Sequence, residues 1–200
     1  MSAPSASFLT LGFLVGLFVL CSDARADVTI GAQNKNPRSL CVADETIVFS
    51  CALKRQRVVS VCASRGLSAN DGYVQYRLGT PSKLEIAVPM AAANSLVEPL
   101  TWRSAVRSHS VMYAGGGGSY LRFNEARYSY VTYAATGRGW IEKQGIMVLK
   151  DEKLLAVHKC AGKFTSSMGE AFFRAANIVE DAEELELPSG DERRVDRARK

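Results

Sequence analysis

Apolar and polar residues alternate along most of the chain in short runs, and a period of two is the mark of a half-buried strand. Glu45–Ala52 sets Ile47, Phe49 and Cys51 on one face and Val48 and Ser50 on the other. After the basic turn Lys54-Arg55-Gln56, the run Arg57–Ala63 alternates again: Val59 and Val61 face one way, Val58, Ser60 and Cys62 the other. The pair reads as a hairpin. Asn70-Asp71-Gly72 breaks the chain before a strand at Tyr73–Leu78, and Gly79-Thr80-Pro81-Ser82 turns it into Lys83–Val88, which Pro89 ends. Residues 89–107 carry no clear period and predict a long connection with a short helical turn around Met90–Asn94. Strands resume at Ser108–Tyr113, Tyr120–Phe123, Tyr128–Tyr133, Trp140–Leu149 and Lys153–Cys160. Nine short strands without long intervening helices predict an all-β fold, an antiparallel barrel or sandwich of about 8–9 strands. One short C-terminal helix is expected, capped by Ser166 or Ser167 and running through Glu170 and Ala171–Ala176 to Asn177.

The chain's beginning reads differently. Phe8–Leu20 is its only long apolar run, shorter than the roughly 20 residues a membrane helix needs. Ala24-Arg25-Ala26 follows as a small-x-small cleavage pattern, so residues 1–26 are predicted to be a signal peptide and Asp27 the first mature residue. No Lys or Arg precedes the apolar run, and Leu20 before Cys21 is too large for a lipoprotein site. Residues 27–179 then form the expected β domain, and 180–200 a charged tail expected to be disordered beyond Pro188.

Export makes the four remaining cysteines, Cys41, Cys51, Cys62 and Cys160, candidates for two disulfides in one of three connectivities. Their spacing fits no zinc pattern. If the first hairpin turns about Arg55, Cys51 faces inward opposite Val59 while Cys62 faces outward. A 51–62 bridge would then cross the sheet; of the two connectivities left, the expected one is Cys51–Cys160, tying the first strand to the last, with Cys41–Cys62 pinning the lead-in to the outer face.

Charge is uneven. Without Asp23 and Arg25 the chain keeps 24 Lys+Arg against 19 Asp+Glu, and residues 180–200 hold eight of the acids and five of the bases. The body, 27–179, therefore carries a net +8, which favours an anionic or macromolecular ligand of the cell envelope. Nucleic acid is not expected as a partner in an exported protein.

Candidate chemistry is sparse. The two histidines, His109 and His158, belong to no H-E-x-x-H motif, and the chain has neither G-x-S-x-G nor a phosphate-binding loop. Ser108 and Ser110 flank His109, but adjacent strand residues point to opposite faces. No catalytic residue, metal site or cofactor is assigned. The stretch Tyr113–Trp140 stands out instead. Four glycines, Gly115–Gly118, form either a flexible recognition loop or a wide bend. If the next hairpin turns about Glu125-Ala126, Leu121 lies opposite Tyr130 and Phe123 opposite Tyr128 as a core face. Tyr120 and Arg122 then face outward beside Ser129 and Val131. The candidate binding residues are thus Tyr113, Gly116, Gly117, Tyr120, Arg122 and Trp140, since Tyr and Arg are enriched at binding hot spots.

Several stretches carry a resemblance: Cys41–Cys51, Val59–Ser64, Tyr73–Gly79, Gly115–Phe123 and Gly137–Trp140. They resemble a family of small exported proteobacterial proteins without assigned function, over most of residues 41–187. A looser similarity is to periplasmic inhibitors of c-type lysozyme, which implies a small β-barrel with an early-to-late disulfide. It also implies a recognition element at Gly118-Ser119-Tyr120, with Ser and Gly in reversed order here. The reading is an exported periplasmic or secreted binding protein without catalytic activity; the alternatives are a lysozyme-inhibitor-like protein and a periplasmic hydrolase.

Overall fold

A computed structural model describes residues 39–89 and 101–188. The predicted leader, residues 27–38, the Met90–Asn94 turn and the segment beyond Pro188 lie outside the described residues. Two sheets face each other as a sandwich and do not close into a barrel. The first contains β1 (Glu45–Ala52), β2 (Val58–Ser64), β3 (Val74–Thr80) and β4 (Lys83–Val88), with β10 (Phe164–Ser166) on the outer side of β1. The second contains β5 (Val106–Tyr113), β6 (Gly116–Glu125), β7 (Tyr128–Gly137), β8 (Trp140–Lys150) and β9 (Lys153–Lys159), with β11 (Val179–Glu180) beside β5. All pairings are antiparallel except β11 with β5. The nine expected strands are all present. The two extra ones, of three and two residues, are too short to show a period.

Alternation puts the core between the sheets. Phe49, Val59, Val61 and Tyr76 from the first meet Leu121, Phe123 and Ile146 from the second. Helix α1 (Thr101–Ala105), which no apolar period announced, closes one end with Trp102, whose Nε1 donates to the Gly72 carbonyl at 2.8 Å. Helix α2 (Glu170–Ala175) adds Phe173, followed by Ala176 and Ile178. Its cap is Gly169, not Ser166 or Ser167: Ser166 pairs with Phe49 in β10, and the Ser167 hydroxyl donates to the Val48 carbonyl.

Both disulfides are as expected, Cys41–Cys62 and Cys51–Cys160, with Cα separations of 5.4 and 5.6 Å. Cys51 lies opposite Val59. One parity expectation fails. A bulge between Ile47 and Phe49 gives Val48 to the core and turns Ile47 to the outer face, opposite Cys62. The same outer face carries Glu45, whose carboxylate takes two hydrogen bonds of 2.6 Å from the Arg77 guanidinium. Arg77 also donates to Gln75 and to the Leu40 carbonyl, and the Tyr73 hydroxyl donates to Glu45. The pair is buried beneath residues 39–42, held by the Cys41–Cys62 bridge, and burial with the Glu45 bond pushes the Tyr73 hydroxyl up to about 12. Cys41, Glu45 and Cys62 bring three potential metal-ligand atoms within 4.8 Å, but both sulfurs are committed to the disulfide. Among the described residues no helix is long and apolar enough to cross a membrane.

Candidate functional site

The β6–β7 hairpin decides what the outer face of the second sheet presents. Its turn is Ala126-Arg127, with Ala126 at φ 50°, so Phe123 pairs with Tyr130 and Leu121 with Thr132. The expected pairs were Phe123–Tyr128 and Leu121–Tyr130. A slip of two residues keeps every side chain on its face, so Leu121, Phe123 and Tyr130 still reach the core and Tyr120 and Arg122 still point outward.

Neither is exposed, however. Tyr120 is 0% accessible and Arg122 8%. Residues 181–187, the start of the charged tail, lie across them. Asp181 N–H donates to the Ser108 carbonyl as the chain leaves β11, and the Leu185 N–H donates to the Tyr120 hydroxyl. Leu185 and Leu187 pack on a second apolar cluster of Tyr120, Val131, Tyr133, Met147 and Leu149. Alternation over residues 184–187 explains the docking: Leu185 and Leu187 turn inward while Glu184 and Glu186 face solvent, and before a bend with exposed Ala182 and Glu183 the Asp181 side chain also turns inward. That covering drives the Tyr120 hydroxyl pKa upward, mainly through burial.

Arg122 forms the floor of an open cleft of about 360 Å³ at the turn end of β6–β9. Its Nε donates to Asn124 Oδ1 at 2.9 Å and to Ser129 Oγ at 3.2 Å, and Ser129 donates to the same Asn124 oxygen at 2.8 Å. These neutral groups fix the guanidinium plane. Its charge is met by two of the chain's own carboxylates. Glu152, in the β8–β9 turn and 69% exposed, accepts from Nη2; Asp181 Oδ2 lies 3.6 Å from Nη1. Arg127 and Asp151 pair at the cleft rim, where that bond raises the Arg127 pKa.

The glycine run is strand, not loop. The β5–β6 turn is Ala114-Gly115, and Gly116–Gly118 already pair with β5. A Cβ at Gly116 would come within 2.2 Å of the Thr136 carbonyl, and one at Gly118 within 3.0 Å of the Tyr113 ring. The glycines therefore let the hairpins and the Tyr113 ring pack closely. Tyr113 is partly buried, and burial together with Glu184 raises its pKa. Trp140 opens β8 opposite Gly137; its side chain lies outside the described residues. Ser119 is also buried, so Gly118-Ser119-Tyr120 is not an exposed recognition element.

The His109 ring lies tilted by 30° against Tyr120, centroids 5.5 Å apart, and Glu180 Oε1 and Glu184 Oε1 lie 3.4 and 3.9 Å from its two nitrogens. Ser108 points into the sandwich opposite Leu121. Asn124, Ser129, Glu152 and Asp181 complete the Arg122 site, though none was among the candidate residues. The available signal was the alternation in Glu184-Leu185-Glu186-Leu187, masked by the segment's acid content. No protein-family model, curated protein or solved structure matches the chain.

Proposed function

We propose that this is an exported, periplasmic or secreted, non-catalytic binding domain that recognises an anionic ligand of the cell envelope through Arg122. One observation carries the reading. Arg122 is a buried, pre-oriented guanidinium at the floor of an open cleft, and the carboxylate on its outward edge sits on an exposed turn. Neutral oxygens from Asn124 and Ser129 hold the planar fork ready for two parallel bonds to a carboxylate or phosphate, at little further cost in side-chain entropy. Glu152 fills the position such a ligand would take. The two disulfides support an oxidising compartment. The inward turn of Ser108, away from His109, favours binding over hydrolysis.

The test is capture of envelope material on the immobilised mature chain at low salt and at about 1 M salt, where charges are screened beyond roughly 3 Å. Arg122→Gln, checked for folding by circular dichroism, is expected to lose the captured material. Glu152→Gln removes the internal competitor and is expected to retain more of it. Capture indifferent to salt and unchanged in both variants would overturn the reading.

A further inference from the structure

Residues 181–187 show what chemistry the outer face of the second sheet accepts. Their sequence, Asp-Ala-Glu-Glu-Leu-Glu-Leu, presents one acid and two leucines inward. Asp181 reaches Arg122 and the Tyr120 hydroxyl; Leu185 and Leu187 cover the tyrosine, methionine and leucine surface behind it. Glu180 and Glu184 flank His109. Each inward group thus meets its chemical complement. The attachment is nevertheless slight in backbone terms. β11 is two residues long, and past the Asp181 N–H no backbone ladder holds the segment among the described residues. The Tyr120 hydroxyl and side-chain packing hold the rest. Uncovered, the face would be a contiguous apolar patch with a cation at its end, the usual composition of a protein-binding surface.

We infer that this face is a docking surface for an extended acidic polypeptide with leucines at alternate positions, and that residues 181–187 occupy it as an internal stand-in. The inference rests on Arg122 as the ligand-binding group and names the ligand's class. The partner is a separate envelope polypeptide carrying such a segment, which displaces the chain's own copy.

A fluorescent peptide of the sequence of residues 179–188 is the probe, read by anisotropy against the full mature chain. Leu185→Ser/Leu187→Ser loosens the internal copy and is expected to bind the peptide at least tenfold more tightly than the unaltered chain does. A peptide of the same composition with its two leucines adjacent (Asp-Ala-Glu-Glu-Leu-Leu-Glu), which breaks the alternation, is expected to bind neither. Asp181→Asn keeps both leucines and removes one charge from Arg122; it is expected to raise peptide affinity at least threefold. If the double variant fails to fold, Asp181→Asn decides. Folded variants that take the peptide no better than the unaltered chain, or take both peptides alike, would overturn the inference. So would sedimentation showing the unaltered chain as a dimer that dissociates on loss of the two leucines, since the occupant would then be a second copy. If the peptide does not bind but Arg122→Gln still abolishes capture of envelope material, this inference falls and the proposed function stands. If Arg122→Gln leaves capture intact, the proposed function itself falls.

Discussion

Glu45 and Arg77 form an ion pair with side chains 1% and 11% exposed, and every remaining bond of the pair goes to a neighbour fixed by the fold. Arg77→Ala would strand the Glu45 carboxylate away from water, and such losses cost about 3–5 kcal/mol. Denaturant unfolding should show a drop of that size, partly recovered when Glu45→Gln is added; no recovery would mean the loss comes from packing. His158 works in the opposite sense. Although the residue is exposed, partial desolvation of its ring, then the nearby Arg57, holds its pKa below the ordinary value of 6.5. The folded chain therefore binds fewer protons there than the unfolded chain, so stability rises with pH across the window below 6.5. The thermal midpoint should fall as pH drops from 7.5 to 5, and His158→Gln should flatten part of that fall. An unchanged slope in the variant would assign the acid sensitivity to other groups.

The β5–β6 and β6–β7 hairpins test whether the glycine run is ladder or loop. As ladder, Gly116→Ala drives a Cβ to 2.2 Å from the Thr136 carbonyl, a backbone atom that cannot step aside, whereas Gly117→Ala meets the Val111 carbonyl at 3.2 Å. Overpacking of this kind costs about 1–3 kcal/mol, so Gly116→Ala should unfold at clearly lower denaturant than Gly117→Ala. Equal, negligible effects would restore a flexible loop. Elements built on alternation were legible from residues alone: β1 to β9, the inward Leu121 and Phe123 and the outward Cys62 all follow from a period of two. Other features were hidden for physical reasons. A bulge at Val48 adds one residue without changing composition. Helix α1 is five residues long and takes its place from Trp102 filling the end of the sandwich. Parity puts Tyr120 and Arg122 on the outer face but cannot show them covered, because it tells which side a residue faces and not what lies on top of it.

Across the whole molecule the two disulfides do unequal work. Cys51–Cys160 closes 109 residues and joins the first sheet to the end of the second; Cys41–Cys62 closes 21. Chain entropy alone assigns about 4.8 kcal/mol to the long bridge and about 3.3 to the short one. Replacing Cys51 and Cys160 by alanine should therefore lower the unfolding midpoint further than replacing Cys41 and Cys62; the reverse order would show that residues 39–42 depend on their bridge for more than entropy. The covering of the second sheet has a consequence of another kind. Ribosomes deliver a polypeptide from its amino end, so Tyr120, Tyr133 and Met147 are all made before Leu185 and Leu187 exist to shield them. For that interval a nascent molecule offers neighbours a sticky aromatic flank, and premature termination ahead of Asp181 would make the interval permanent.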